Sequence, residues 1–556
     1  MRAVSDNILL IIPARGGSKG IQRKNIRTMS GKPLIFYAIE KARALPLKNV
    51  DIYLDSDDDE ILFIGSNLGA KVVKRNMELA LDQVTLDEVI YHSVNTIEQI
   101  ENKKYELIVV LQATVPLISV RTIIGALEFL ADNPGYDTLI AATRENGFMW
   151  RVGERIIEPC FSERVNRQYS NELLLKENGA FTITRREVLL KERTRFTKHM
   201  KLFEIPYEEG IDIDTILDWE MVRSILGRRK IVFNVIGNAQ VGTGHLHRIL
   251  TIYDHMTFAD KQIVMLKGND LAKNYFSLLN IEPVEFDHIM ELAEYVAKCD
   301  LIVNDVLSTS SQYILDLKRK GKSVVNFDDL GPGALFADAV INANFELKWF
   351  PSHATHIYWG HKYHCARSQF ICSSIKEVTE DVKRVLLLFG GVDKTNLTKK
   401  VLGAIYEYCV SNDIEIRVAV GLGYRQSNTL RRYKKAVILE SVGNMAAEIY
   451  SNDIVFSSLG RTAYEIAMVG VPLIAIVRNE IESYHPFVNL KNGLRILGLE
   501  PHVSRVDILR GLTELVQNCG IRRQMNQVLL DKRVELMNGI SEVARIIDLV
   551  SIRTGL

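Results

Sequence analysis

Along most of the chain, short runs of apolar residues alternate with stretches in which apolar positions recur every three or four residues. Ile8–Ile12 is a continuous aliphatic run ended by Pro13, and Leu34–Leu45 then carries its apolar residues at helical spacing. Leu107–Leu111 is a second continuous run, followed by a second amphipathic stretch at Thr122–Leu130. A run too short for a helix and apolar on both faces predicts a strand enclosed from both sides. Such strands, alternating with helices, predict βα units and a mostly parallel sheet. The rhythm breaks at Leu226-Gly-Arg-Arg-Lys230, a basic, glycine-bearing stretch between the helical pattern DWEMVRSIL and a new strand at Ile231–Val235. A domain boundary is expected there, closing a first domain of residues 1–228.

After the break the order strand, glycine loop, helix starts afresh, and it restarts at Val385–Phe389 with Gly390-Gly391 behind it. Two Rossmann-like halves are expected, residues 231–375 and 376–556, which makes the chain α/β throughout. At 556 residues it is too long for one hydrophobic core, in keeping with several units. Lys and Arg number 69 against 68 Asp and Glu, and no run of one sign could track a polyanion, so nucleic acid is not an expected partner. The apolar stretch near the start is shorter than the roughly 7–15 residues of a signal-peptide core or the ~20 of a membrane span. No membrane association and a cytoplasmic location are therefore expected. The six cysteines lack CxxC spacing, which fits a reducing compartment and no disulfide framework.

Directly after the first strand comes IPARGGSKGIQRKN, Ile12 to Asn25. Gly16 and Gly17 allow backbone N–H groups to approach a phosphate closely, and Lys19, Arg23, Lys24 and Arg27 follow within ten residues. The GKS/T ending of a Walker A loop is absent, and the pattern is not GxGxxG. Taken alone, the segment reads equally as a basic surface loop.

Together with LDSDDDEI (Leu54–Ile61), NMELALD (Asn76–Asp82), LQAT (Leu111–Thr114), Arg167-Gln168, ENGAF (Glu177–Phe181) and DIDTILD (Asp212–Asp218), this loop resembles the acylneuraminate cytidylyltransferase family. The segments fall in the family's order and near its spacing over residues 8 to 225. The resemblance implies a Rossmann-like nucleotidyltransferase domain that activates a nonulosonic acid, a sialic-acid-like sugar, with CTP. The sugar's anomeric hydroxyl would attack the α-phosphate, and pyrophosphate would leave. It further implies nucleotide binding by Arg15, Gly16, Gly17, Ser18, Lys24 and Asn25, with Arg15 and Lys24 neutralising the triphosphate. Gln112, Arg167, Gln168 and Asn178 would lie on the sugar side, and Asp212 and Asp214 would hold Mg2+. A homodimer through an arm near the sugar site is part of the same expectation.

Two readings of these residues compete with the family's. Asp is a favoured N-cap residue, so Asp212 and Asp214 could simply start the following helix. The acidic run Asp55 to Glu60 precedes an amphipathic helix and reads as favourable charge at its first turn, Asp57 being the member that matches the motif. The chain also departs from the family. LQPTSPLR appears as LQATVPLI, with Ala113, Val115 and Ile118 in place of proline, serine and arginine. Gly20 looks closer to the sialic or legionaminic branch than to the pseudaminic one, where a basic residue is expected.

In the second half, NVIGNAQVGTGHLHRILTI (Asn234–Ile252) puts a glycine loop and His245 between a strand and a helix, where the helix N-terminus favours a neutral, basic imidazole. Read alone, such a histidine is as readily structural. LLLFGGVDKTNLT (Leu386–Thr398), VFSSLGRTAYEIAMVGVPLIAI (Val455–Ile476) and NFDDLGPGALFADAVINA (Asn326–Ala343) accompany it. Together they resemble the UDP-sugar hydrolase of pseudaminic acid biosynthesis and its spore-coat-polysaccharide relatives. That resemblance implies a glycosyltransferase-B-like fold with a cleft between its halves, and hydrolysis of a UDP-amino-sugar with His245 activating water. Gly390, Gly391, Gly460, Arg461 and Thr462 would hold the diphosphate and Glu465 the ribose, unless Glu465 is only a solvated helix residue. Asn479 would contact substrate, although Glu480 stands where the family carries glutamine. A glycosyltransferase, or a non-catalytic binding module, is the alternative for this region. His353, His356, His361, His364 and Cys365 are zinc-ligand types in one short segment, but their spacing fits no zinc pattern and no metal is expected there.

Overall fold

The computed structural model describes residues 7–18, 20–145, 147–152, 157–161, 164, 174–238, 241–257, 259–345, 356–421, 423–424, 426–440 and 442–552. The chain divides into two compact units, Met1–Arg228 and Arg229–Leu556.

Unit 1 is built on a seven-stranded sheet. Its strands are β1 (Ile8–Pro13), β2 (Val50–Ser56), β3 (Lys71–Lys74), β4 (Leu107–Leu111), β5 (Thr138–Glu145), β6 (Leu174–Arg185) and β7 (Met200–Glu204), in the order β7-β5-β6-β4-β1-β2-β3. Only β6 runs against its neighbours, between β4 and β5. The aliphatic run of β1 follows from burial on both faces: Ile8, Leu10 and Ile12 belong to the core on one side, and Leu9 and Ile11 to the core on the other. The helix Asp59–Asn67 begins where Asp58 accepts hydrogen bonds from the Glu60 and Ile61 amides, so most of the acidic run serves a helix start.

Unit 2 holds two sheets whose strands are all parallel. The first comprises β8 (Arg229–Val235), β9 (Ala259–Leu266), β10 (Val284–Phe286), β11 (Leu301–Asp305), β12 (Ser323–Phe327), β13 (Ala339–Asn342) and β14 (His356–Trp359), ordered β10-β9-β8-β11-β12-β13-β14. The second comprises β15 (Arg384–Leu388), β16 (Glu415–Val420), β17 (Ala436–Glu440), β18 (Ile454–Ser458), β19 (Leu473–Val477) and β20 (Arg495–Leu499), ordered β17-β16-β15-β18-β19-β20. Arg229 and Lys230 are not linker. They open β8, paired with Ala259 and Asp260, because the exposed end of a strand tolerates charge. The C-terminal helix Arg533–Ile552 returns to the first sheet, where Leu536, Val543 and Ile547 share a core with Phe233 and Val325 and the Ser323 hydroxyl donates to the Val550 carbonyl. The two halves therefore form one compact unit.

In all three sheets the first strand lies between its second and fourth, so the chain leaves it in both directions. Ligands in open parallel sheets bind at the carboxyl ends of strands at such switch points. Those ends are β1 and β4 in unit 1, and β8, β11, β15 and β18 in unit 2. No helix among the described residues is long and apolar enough to cross a membrane.

Candidate functional site

At the unit 1 switch point lies a pocket of about 360 Å³, lined from the β1 loop by Arg15, Ser18, Lys24 and Asn25 and from the end of β4 by Gln112 and Thr114. Asn25 braces the loop by donating to the Arg15 carbonyl at 2.9 Å. The Gly16 amide donates to the Asp57 carboxylate at 3.0 Å, so an anionic group already sits on one amide of the glycine turn. A side chain at position 16 would meet the Asp58 carboxylate at 2.8 Å, whereas position 17 is open. Arg15 Nη1 pairs with Asp82 at 2.8 Å, with both side chains well exposed. Lys24 is mostly buried, donates to the Ile213 carbonyl at 2.5 Å and lies 3.4 Å from Asp214.

Helix capping does not claim Asp212 and Asp214. The helix Ile216–Leu226 is capped by a reciprocal pair, Thr215 accepting from the Asp218 amide and Asp218 accepting from the Thr215 amide. Asp214 lines the pocket with its side chain 77% exposed. Asp212 is half-buried, and its Oδ1 has no hydrogen-bond partner among the described residues. Burial raises its carboxyl above the usual carboxylate range; a Thr114 hydrogen bond offsets part of this and Asp214 adds to it. Two carboxylates one residue apart, one of them strained by desolvation, suit a hard cation that shares phosphate oxygens.

The other residues expected here are placed as follows. Gln112 packs against Gly179, whose positive φ of 71° and close approach, 2.7 Å from Gln112 Nε2 to where a Cβ would stand, both call for glycine. Asn178 is buried away from the pocket, its Oδ1 accepting from the Ala180 amide. Arg167 and Gln168 lie outside the described residues. One charged pocket residue escaped the sequence reading: Arg75, the residue before NMELALD, is buried and held by Asp55 at 3.1 Å, while Ser93 donates to the other Asp55 oxygen.

Unit 2 has a larger cleft, about 480 Å³, at the switch points of both its sheets. Its backbone walls meet closely. A side chain at Gly391 would stand 2.8 Å from Thr243 Oγ1, and one at Gly421 would collide with Gly391 itself. Gly390 has a φ of 83° and Gly242 one of 85°, so both turns need glycine. Gly460 opens the helix Arg461–Val469, with Arg461 and Thr462 on the cleft.

His245, in the first turn of the helix Gly244–His255, contacts Asp305 at 2.5 Å through Nδ1. The carboxylate belongs to the last residue of β11, fully buried, and also takes Nε and Nη2 of Arg248 at 2.7 and 2.6 Å. Burial disfavours ionised Asp305, yet Arg248 and His245 hold its carboxyl far below the usual range. An ionised oxygen this close to a ring nitrogen requires a proton between them. Nδ1–H therefore donates to Asp305, leaving Nε2 as the basic atom. The 3.2 Å approach of Arg248 Nη2 to Nδ1 is then two donors converging on one carboxylate. Arg248 Nη1 reaches Asp328 at 2.5 Å. His247 also lines the cleft, paired with the Tyr275 hydroxyl at 2.9 Å; burial, with Arg367 and Arg461 nearby, pushes its imidazole down to about 3.

Glu465 is neither solvated nor unengaged: one oxygen receives Nε and Nη2 of Arg367, at 3.0 and 2.7 Å. Asn479 does not line the cleft; its Oδ1 caps the Glu482 amide. In this segment Glu482, not Glu480, lines the cleft, accepting from the Arg478 backbone amide at 2.8 Å and paired with its Nε at 2.6 Å. In the histidine-rich segment, His361 pairs with Glu535 at 2.7 Å and His364 is buried against Tyr464. His353 and the His356 side chain fall outside what is described.

The family model "Cytidylyltransferase" matches residues 9–216. The pseudaminic acid cytidylyltransferase of Campylobacter jejuni is 33% identical over 223 residues, covering 39% of this chain and 94% of the relative. The chain belongs to the cytidylyltransferase family. The N-acylneuraminate cytidylyltransferase A of Danio rerio is 31% identical over 229 residues, 39% of this chain and 50% of the relative. The chain thus spans about half the length of some curated relatives it matches. Unit 2 is similar to the crystal structure of Acinetobacter baumannii MurG, at 13% identity and a TM-score of 0.43, with 58% of this chain and 99% of that one covered.

Within the cytidylyltransferase unit the departures acquire physical reasons. Ala113, Val115 and Ile118 are all buried in the sheet core; Val115 and Ile118 complete packing away from the pocket, while Ala113 also lines it between Gln112 and Thr114. Gly20 abuts the Asp214 carbonyl so closely that any side chain would collide with it. Its identity is a steric demand of the pocket and does not speak for one sugar branch over another.

Proposed function

We propose that unit 1 transfers CMP from CTP to a nonulosonic acid and that unit 2 hydrolyses a UDP-amino-sugar, two reactions of one surface-sugar pathway. The carrying observation for unit 1 is the pair Asp212 and Asp214, left uncommitted by the Thr215–Asp218 cap beside a pocket lined with cations. The sugar's anomeric hydroxyl loses its proton to solvent as its oxygen attacks the α-phosphorus, the bond to the bridging oxygen breaks, and pyrophosphate leaves with the electron pair. Lys24 and Arg15 offset charge on the triphosphate, and the loop amides position it. Asp212 and Asp214 would hold Mg2+, which supplies further charge neutralisation on the phosphates.

For unit 2 the carrying observation is the Asp305–His245 contact. His245 Nε2 removes a proton from water, the water oxygen bonds to the anomeric carbon, and UDP leaves. Asp305 steadies the imidazolium that forms. The glycine turns at Gly390 and Gly460 offer amides to the diphosphate.

Both halves are tested on the purified full chain. CTP, Mg2+ and a panel of sialic, legionaminic and pseudaminic acids should yield pyrophosphate with at least one acid. UDP-amino-sugars should yield UDP with no acceptor added. Pyrophosphate from none of the acids sinks the first reading, and UDP release that demands an added sugar acceptor replaces hydrolysis by glycosyl transfer.

A further inference from the structure

Two oxygens in the unit 2 cleft are built as acceptors and have nothing to accept. Asp328 follows β12 and Asn344 follows β13, so both stand at carboxyl ends of strands, on the wall that carries His245. They are 3% and 5% exposed. Asp328 Oδ2 takes Arg248 Nη1 at 2.5 Å and Asn344 Nδ2 at 2.9 Å. Asp328 Oδ1 and Asn344 Oδ1 have no donor among the described residues. The amide cannot be turned to relieve this, because rotation would set its oxygen against the Asp328 carboxylate. Arg248, a single cation, is shared by two carboxylates, Asp305 and Asp328, so the cluster carries an excess negative charge when His245 is neutral. Buried acceptors are otherwise almost always satisfied, and two neighbouring exceptions in a cleft mark a place for donors from a ligand.

The geometry points to Asp328 and Asn344 as the subsite that holds the sugar ring of a nucleotide sugar, through O–H or N–H donors on adjacent ring carbons. This rests on the nucleotide-sugar reading of the cleft. The cleft separates the labour by half. The glycine turns at Gly390, Gly421 and Gly460 and the Arg461 side chain belong to the half built on the second sheet and suit a diphosphate. The donor-poor, acceptor-rich corner belongs to the first half, beside the basic histidine. A phosphate would be repelled from that corner, whereas a polyol would fill it.

The test is calorimetric binding of UDP, UDP-glucose and UDP-N-acetylglucosamine to the full chain carrying His245→Ala, so that turnover does not consume the ligand. At least one UDP-sugar should bind that parent about 10-fold tighter than UDP. Asn344→Ala and Asp328→Asn should each erase the advantage while leaving UDP affinity within about twofold. Thermal melts verify that the variants fold, and Asn344→Ala decides the matter alone if Asp328→Asn does not. A retained advantage in Asn344→Ala, or a parallel loss of UDP affinity, overturns the assignment. A parent that binds UDP but gains nothing from either sugar overturns the subsite alone, and one that binds no UDP overturns the nucleotide reading and the subsite with it.

Discussion

In unit 1 two of the pocket's cations meet their acids near water: Arg15 and Asp82 have side chains 39% and 50% exposed, and Lys24 reaches an Asp214 that is mostly solvated, while Arg75 is sealed against Asp55. In unit 2 the corresponding charges are sealed, with Arg248, Asp305 and Asp328 all inside the protein and His245 leaning on them. Exposed pairs are worth little and are readily exchanged for a substrate's charge, whereas a buried cluster is costly to disturb and fixes geometry. The difference matches what each proposed reaction needs. A triphosphate brings its own charge and asks the protein for movable counter-charges. A water molecule brings none, and must be met by a base whose tautomer and position are already set.

The sharpest way to break this contrast is through the dyad. His245→Ala should lower UDP release about 10²–10⁴-fold with UDP affinity nearly intact, because the base acts in the transition state. Asp305→Asn should cost roughly 10²-fold in kcat, since the imidazole loses the carboxylate that fixes its tautomer and orientation. If His245 merely starts its helix, both variants will keep their turnover and show only a lowered melting temperature.

Unit 1 answers with its carboxylates. Asp212→Asn or Asp214→Asn should each cost at least ~100-fold in pyrophosphate release if they hold the metal. Asp212 offers a second readout. Its carboxyl is raised in the folded state, so its ionisation works against folding as pH rises through the carboxylate range. Asp212→Asn should therefore melt higher than the parent at neutral pH without nucleotide, while losing activity. A variant that melts lower, or turns over normally, removes Asp212 from the metal site.

Acid separates the units in the other direction. His247 and His485 are pushed down to about 3, chiefly by burial, and His364 is held well below its ordinary value for the same reason. An unfolded chain takes protons on these rings below about pH 6.5, and folded His247 and His485 do not until near 3. Stability is therefore whole above that range and falls as pH drops through it, by up to about 1.4 kcal/mol per pH unit for each ring. Calorimetry from pH 7 to 5 should show the unit 2 transition falling steeply, with a shallower slope in His247→Gln. Equal slopes in parent and variant would mean that His247 is protonated in the folded protein.

How much of this could be read in the sequence depends on the range of the interaction. The strands Ile8–Pro13 and Leu107–Leu111 and the helix Leu34–Arg43 lie where local periodicity put them, because burial on both faces or on one stripe is written in consecutive residues. The phosphate loop and the position of His245 at a helix start were equally local. Asp305 stands sixty residues from His245 and was invisible, although a carboxylate ending the buried run LIVND was a usable signal. Arg248 lies inside the motif Asn234–Ile252, but no spacing shows that it joins Asp305 to Asp328. Arg75 was missed because it reaches its pocket only when β2 and β4 come to lie beside β1. Glu465 and Asn479 sit in the right segments, but which partner each side chain chooses is a tertiary matter that no spacing encodes.

The smallest expected effect tests the claim that unit 1's surface pairs are exchangeable. Asp82→Asn removes the acid that competes with a triphosphate for Arg15, and an exposed pair of this kind contributes at most about 1 kcal/mol. The melting temperature should hardly move, and the KM for CTP should fall by no more than about threefold, an effect that fades as salt screens both partners. Arg15→Gln should raise that KM, since a counter-charge is lost outright. If Asp82→Asn instead cripples turnover, Asp82 positions the arginine as Asp305 positions His245. The two pockets would then differ in exposure alone and not in how they commit their charges.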